Sequence, residues 1–124
     1  MEIISVIAFS DVENKIIEIR GHQVIIDSDV AELYGVETRE VNQALSRNLE
    51  KFPEGYIFEL DAQEKEELIT NCDHLKKLKF SPSFPKAFTE RGLYMLATIL
   101  KSAKATATTL AIIDTFAQVR EVSR

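Results

Sequence analysis

The side chains best suited to chemistry lie on one face of a helix that the sequence predicts between residues 38 and 51. Glu40 and Asn42 lie at the edges of this face, and its centre consists of Arg39, Gln43, Ser46, Arg47 and Glu50. Arginine can donate to guanine, glutamine or asparagine can bond adenine, and glutamate can accept from the cytosine amino group. An ordinary solvated face would more often pair lysine with glutamate four residues apart. The pattern therefore favours contact with base edges.

Two short helices and a turn would position this face. Ala31, Gly35 and Val41 follow one another at intervals of four and six residues, the spacing at which the helices of a helix-turn-helix cross, reverse and pack. We expect Gly35 to end the first helix in the left-handed region and Thr38 to cap the second with its hydroxyl. Pro53 ends the second helix. A helical hairpin buried in a core would show the same spacing, because Ala, Gly and Val are common there.

The inner face of the second helix is predicted to be apolar. Asn48 falls on this side, so we expect its amide to bond backbone and not a ligand. The apolar residues at helical spacing are Val41, Ala44, Leu45 and Leu49.

Before and after this helix pair, the sequence predicts a small sheet. Residues 15–27 form a hairpin around Gly21-His22, with Ile17, Ile19, Val24 and Ile26 towards the core. Residues 56–60 form a second strand, and residues 86–88 return beside it. The segment between them contains a helix from Ala62 to about Cys72, begun by a capping box of Asp61 and Glu64. Residues 74–86 are predicted to be a basic loop. The strand at residues 56–60, the segment after it and the returning strand at residues 86–88 would then resemble a wing with a positively charged tip.

Two helices complete the chain. Thr89 and Glu90 begin the first, in which Gly92 indicates close packing because glycine disfavours a helix by about 1 kcal/mol relative to alanine. Ser102 is expected to cap the last helix, from about Ala103 to Val122. Its stripe of Leu110, Ile113, Phe116 and Ala117 is widened by Ala111, Ile112 and Val119. A stripe of this width predicts contact with a second copy or with downstream sequence.

The sequence lacks the residue constellations of common active sites. His22 in a hairpin turn is expected at the surface, and Cys72 with His74 makes at most half of a zinc site. Asp27 and Asp29 could hold a divalent metal, but helix capping explains them more simply. We therefore expect no enzyme, no cofactor, no metal and no small-molecule substrate.

Charge is distributed unevenly along the 124 residues, whose net charge is −5. Residues 1–73 hold 6 Lys or Arg and 17 Asp or Glu, whereas residues 74–124 hold 9 and 3. A basic half fits a polyanionic partner, head-to-tail self-association, or lysines that only solubilise a surface. Under the first interpretation, the side chains that would contact phosphates are Lys51, Lys76, Lys77 and Lys79. The single cysteine suits a reducing cytoplasm, and no apolar run is long enough to cross a membrane.

These motifs together resemble a known family. The matching residues are Glu18-Ile19-Arg20-Gly21, residues 29–38, Val41-Asn42-Gln43-Ala44, Arg47-Asn48, Phe52-Pro53 and Phe88-Thr89-Glu90. They are similar to the KilA-N and Bro-N group of phage and large-DNA-virus domains, and most of all to the branch named for the N-terminal domain of open reading frame six. The resemblance spans about residues 14–121. It implies a DNA-binding module of phage antirepressor-like regulators, which are often fused to a variable C-terminal domain. Glu37, Glu40 and the net acidic region 27–59 depart from what strong DNA binding would require. The basic loop 73–86 looks variable, so its lysines inherit no role from the family.

The sequence therefore predicts one α+β domain over residues 1–124, as an N-terminal part of a longer protein. It would contain a small antiparallel sheet, a winged-helix-like helix-turn-helix and two C-terminal helices. The predicted function is binding of double-stranded DNA by a phage or prophage transcription regulator in the cytoplasm, as a homodimer through the last helix. The base-contacting residues would be Thr38, Arg39, Asn42, Gln43, Ser46 and Arg47. The alternative is a protein-interaction or dimerisation module without direct DNA contact.

Overall fold

The structure is a computed structural model that describes residues 9–100 and 103–123. Its helices are α1 (Phe9–Glu13), α2 (Asp27–Tyr34), α3 (Thr38–Ser46), α4 (Ala62–Asn71), α5 (Glu90–Ile99) and α6 (Ala103–Ser123), with 3-10 helices at Leu49–Lys51 and Asp73–Phe80. Its strands are β1 (Ile17–Ile19), β2 (His22–Ile26), β3 (Ile57–Glu59) and β4 (Lys86–Phe88). The strands form one antiparallel sheet in the order β1-β2-β4-β3. The predicted α+β class is confirmed. The expected cap at Ser102 falls outside the described residues.

The hairpin at the start of the sheet turns one residue earlier than predicted. His22 pairs with Ile19, and the turn consists of Arg20 and Gly21, both with positive φ, 54° and 79°. Two left-handed residues make the tight turn whose twist matches that of paired strands. His22 is exposed, as expected, with its ring centroid 5.8 Å from that of Phe58.

The centre of the sheet is buried on both faces. Ile25 and Phe88 face the larger core, which α2, α3, α5 and α6 cover. Val24, Ile26 and Ala87 face a second core, which α4 and the 3-10 helix Asp73–Phe80 cover. Alternate residues of a strand point to opposite faces, so β2 and β4 connect the two cores.

The helix-turn-helix forms as predicted at its turn. Gly35 ends α2 with φ 72°, and Val36 N–H donates to Ala31 O at 3.0 Å. Ala31 and Val41 are both buried where the helices meet. The left-handed glycine supplies the reversal that brings α3 against α2.

The second helix begins and ends differently from the prediction. Thr38 is its first helical residue and not its cap, since Glu37 occupies the cap position without a side-chain cap bond. The helix ends at Ser46, well before residue 51. Asn48 donates from its amide to Ala44 O at 2.9 Å, the backbone bond expected of it, and a side chain that bonds the last turn competes with helix continuation. Leu49 consequently leaves the apolar face and is 58% exposed.

Residues 73–85, here called the insert, are not a free loop or wing tip. The 3-10 helix Asp73–Phe80 buries Leu75 and Leu78 in the second core. Pro85 O accepts from Leu60 N–H at 2.9 Å, which fixes the end of the insert beside β4. The predicted pairing of the strands on either side is present, since Phe58 lies opposite Ala87.

The later helices follow the local signals. Asp61 and Glu64 form the predicted reciprocal capping box, and Thr89 Oγ1 accepts from Gly92 N–H at 3.3 Å. A Cβ at Gly92 would overlap the carbonyl group of Tyr56, which explains the glycine. In α6 the predicted stripe is wrong at Leu110, which is 57% exposed, because the core-facing side is formed by Ala105, Thr108, Thr109, Ile112, Thr115 and Phe116.

Candidate nucleic-acid interface

A groove of about 830 Å³ separates the outer face of α3 from the insert. On one side the groove is lined by α3, with Thr38, Arg39, Asn42, Gln43 and Ser46, and next to α3 by Asp27 and Ser28 of α2. The opposite side, here called the insert wall, is formed by the insert and the first residue of β4, with Lys77, Leu78, Phe80, Ser81, Ser83, Phe84, Pro85 and Lys86. The fold thus brings most of the predicted base-contacting residues and Lys77 of the predicted phosphate contacts to one place. Arg47, which follows α3, and Lys51 are exposed but do not line the groove.

The α3 wall presents exposed hydrogen-bonding groups at three positions. Arg39, Gln43 and Ser46 are exposed and follow one another at intervals of four and three residues, so they share a helix face. Arg39 Nη2 lies 3.0 Å from Glu37 Oε1, but the side chains are 73% and 71% exposed. An ion pair this exposed contributes little free energy, so the guanidinium can exchange Glu37 for another acceptor.

Asn42 is bound within the fold. Its amide donates to Asp27 Oδ2 at 3.1 Å and to Thr38 O at 3.2 Å, while its Oδ1 is buried without a hydrogen-bond partner. Burial raises the pKa of Asp27, and the hydrogen bond from Asn42 and interactions with Lys86 oppose that rise. Asn42 therefore ties α3 to the start of α2.

The helix-capping interpretation of Asp27 and Asp29 is wrong, because Ile26 is the cap residue of α2 and both carboxylates are buried. Asp29 is fully buried, and its Oδ2 lies 2.9 Å from His74 Nε2. Burial raises the pKa of Asp29, and the bond to His74 opposes the shift. The pair ties α2 to the start of the insert.

Cys72 and His74, the remaining candidates for a nucleophile or a metal site, have structural explanations. Burial is the main cause that raises the pKa of Cys72, and the negative charges of Asp29 and Asp73 raise it further. A raised pKa disfavours the thiolate required of a nucleophile. The ring of His74 is engaged by Asp29. Across the described residues, no three His, Cys, Asp or Glu side chains are grouped so that they could hold a metal.

The insert wall contains residues that sequence analysis did not single out. Phe80 is 80% exposed and Phe84 is 45% exposed, and Lys86 lies beside them in the lining. The available signal was two phenylalanines within a Ser/Pro segment bounded by lysines. The lysines, serines and prolines of this segment predict a basic loop, and its two phenylalanines have no predicted role.

The predicted phosphate-contacting lysines of the insert differ in position. Lys77 lines the groove. Lys76 Nζ lies 3.7 Å from Asp73 Oδ1, and Lys79 Nζ lies 5.1 Å from the ring centroid of Phe80. All three side chains are exposed. In the described part of the chain, no helix has the length and apolar character needed to cross a membrane.

Comparison with known proteins gives one match. The family model of the ORF6N domain matches residues 14–99, a range that contains the sheet, the helix-turn-helix, both walls of the groove and α5. No curated protein and no solved structure matches the chain. The match covers well over half of the sequence, and the chain therefore belongs to the ORF6N domain family.

Proposed function

We propose that this ORF6N domain binds double-stranded DNA as part of a phage-type transcription regulator, with α3 in the major groove. Arg39, Gln43 and Ser46 would contact base edges, and Arg47 would contact the adjoining base or phosphate. Asn42 and Thr38 would not contact the bases themselves but would hold α3 in place. The domain acts by binding alone, in the cytoplasm, without catalysis, cofactor or small-molecule substrate.

One observation carries this proposal: exposed hydrogen-bonding side chains and cations converge on the same groove of an acidic chain. Arg39 lies on one wall, with Lys77 and Lys86 on the other. Among the lining residues the acidic side chain is Asp27, which is 5% exposed. Phosphate neutralisation by such cations supplies most of the non-specific affinity of DNA-binding proteins, while arginine and glutamine on a helix supply base discrimination.

The finer kinship with the KilA-N and Bro-N domains, and an antirepressor-like role, belong to the same proposal. We also propose a homodimer through α6, because Leu110 presents an apolar side chain on its outer face. A dimer would double the DNA contacts and fix the spacing of two half-sites.

The second candidate is a protein-interaction module without DNA contact. The 17 acidic residues within positions 1–73 favour it, as do exposed apolar side chains outside the groove, Leu49, Tyr94 and Leu110. In that case α3 or α6 would bind a repressor or another copy of the chain.

Fluorescence anisotropy on a mixed-sequence duplex, titrated between about 50 and 200 mM salt, tests the proposal. The two groove lysines that would face phosphates, Lys77 and Lys86, predict a log–log salt slope of about −2 per protomer, at about 0.9 per phosphate neutralised. Lys77→Ala should reduce that slope by about one. Arg91→Ala removes an exposed α5 cation outside the groove and is the matched control.

Base recognition requires a second measurement, the ratio of affinities for selected and mixed duplexes. Gln43→Ala and Arg47→Ala should each reduce this ratio. The loss corresponds to about 1–3 kcal/mol of binding free energy for every base that the variant no longer recognises. Failure of the dimeric protein to bind duplex at about 50 mM salt would favour the interaction module.

A further inference from the structure

Two exposed phenylalanines stand opposite the polar face of α3. Phe80 and Phe84 are 80% and 45% exposed, and both line the groove. Single exposed apolar side chains are common on protein surfaces, but two aromatic rings exposed in the same groove make an apolar patch of the kind that marks a binding site.

The loop that carries these rings is held firmly. Lys65 Nζ, from α4, donates to Ser81 O at 2.6 Å and to Ser83 O at 3.0 Å. On either side of the loop, Leu78 and Pro85 are buried. The rings are therefore presented on a pre-organised support, and less conformational entropy is lost when a ligand covers them.

Cations surround the same rings. Lys65 Nζ lies 6.0 Å from the centroid of Phe84, and Lys79 Nζ lies 5.1 Å from that of Phe80. Lys77 and Lys86 complete the wall. A ligand that suits aromatic faces and positive charge together must itself be both apolar and anionic.

We infer that one strand of the bound DNA passes through the groove between α3 and the insert, with Phe80 and Phe84 packed on its sugars and on the thymine methyl groups at its base edges. This inference rests on the proposed function, because α3 must enter the major groove for the adjacent strand to reach the insert. Sugars and thymine methyl groups offer the apolar surface that phosphates lack, and phenylalanine is one of the side chains that contact thymine methyl groups in the major groove. The insert is then a second DNA-binding element, which holds the strand whose bases α3 contacts.

The test measures duplex affinity and its salt slope for Phe80→Ala and Phe84→Ala. Each change should weaken binding about tenfold, because each removes the apolar surface that a phenylalanine buries against the strand. The slope should stay unchanged because no charge is removed. Phe80→Trp should retain affinity, since it keeps an aromatic face. Tyr94→Ala, which removes an exposed aromatic side chain outside the groove, should bind within about twofold of the parent.

The proposed function and the insert interaction fail differently. If the parent protein binds duplex and Lys77→Ala flattens the slope, but both phenylalanine variants bind within about twofold of the parent, the packing of Phe80 and Phe84 on the strand is overturned and the proposed function stands. If the parent does not bind duplex at about 50 mM salt, both are overturned. Equal thermal unfolding of parent and variants, measured by circular dichroism, assigns the weaker binding to the missing aromatic rings and not to a damaged fold.

Discussion

Replacing Asn42 by alanine separates a structural role from a base-contacting one. The amide of Asn42 donates to the buried carboxylate of Asp27 at 3.1 Å, and a hydrogen bond to a charged group contributes about 1.5–3 kcal/mol. Alanine recovers about 0.5 kcal/mol of helix propensity and removes the unpartnered Oδ1. We therefore expect Asn42→Ala to lower the free energy of unfolding by about 1–2 kcal/mol. Gln43→Ala, at the next and exposed position, should change it by less than about 0.5 kcal/mol.

The loss of stability should also depend on pH. Burial raises the pKa of Asp27 and the Asn42 bond opposes the rise, so the variant should raise this pKa further. A carboxyl with a raised pKa destabilises the fold while it is ionised, and the penalty fades as pH falls and the folded protein takes up the proton. The difference in unfolding free energy between parent and Asn42→Ala should therefore be largest near neutral pH and shrink on acidification through the pKa of Asp27.

Urea unfolding followed by circular dichroism, from neutral pH down to about pH 4, provides the measurement. Equal unfolding free energies for Asn42→Ala and Gln43→Ala at neutral pH would refute the structural role. Duplex binding supplies the converse comparison, since Gln43→Ala should change base preference while its stability stays near that of the parent.

Substitutions at three further positions test the structure around the site. Gly92→Ala should lower the unfolding free energy by about 2 kcal/mol, because overlap with the Tyr56 carbonyl exceeds the roughly 1 kcal/mol gained in helix propensity; an unchanged melting temperature would contradict this. Gly35→Ala should lose about 1 kcal/mol at φ 72°, and Gly35→Asn should lose less in the same urea assay; equal losses would count against a left-handed cap. Asp29→Asn removes a carboxyl whose pKa burial raises and whose bond to His74 opposes that rise, so the stability of the parent relative to this variant should grow as pH falls through that pKa. A difference that does not vary with pH would show that Asp29 does not titrate as inferred.

Features fixed by a few neighbouring residues could be predicted from sequence. The Gly35 turn, the Asp61–Glu64 capping box and the Thr89 cap each depend on hydrogen bonds within about one helical turn. The Asn48 bond to Ala44 O is equally local. The end of α3 was nevertheless missed, because an unbroken apolar period to Leu49 outweighed the tendency of asparagine to close a helix.

Features fixed across the chain could not be predicted in this way. The insert contains breakers and lysines, which favour a loop, yet Leu75 and Leu78 find a partner in the far face of the sheet. The bond between the buried Asp29 and the exposed His74 joins residues 45 positions apart. Local composition contains no signal for either contact, because burial depends on which surface the sheet offers.

The same distinction applies to the candidate site. Helical periodicity placed Arg39, Gln43 and Ser46 outward, and the structure finds them exposed. The opposite wall, with Phe80 and Phe84, became visible only when the insert was located beside α3. One wall of the groove is therefore a property of a single helix, and the other is a property of the fold.

Position within the fold also changes what the net charge of −5 means for a DNA partner. Two carboxylates of the acidic half, Asp27 and Asp29, are buried, and a third, Glu37, lies beside Arg39. Screening at physiological salt limits exposed charges to a range of about 8 Å, so a ligand in the groove interacts mainly with its lining cations. Acidic side chains far from the groove slow the approach of DNA more than they weaken the bound complex. The affinity for duplex should consequently fall as salt rises, because the groove cations set it, while the association rate should be slow, because the chain is acidic overall. Stopped-flow measurements at two ionic strengths would resolve the two effects.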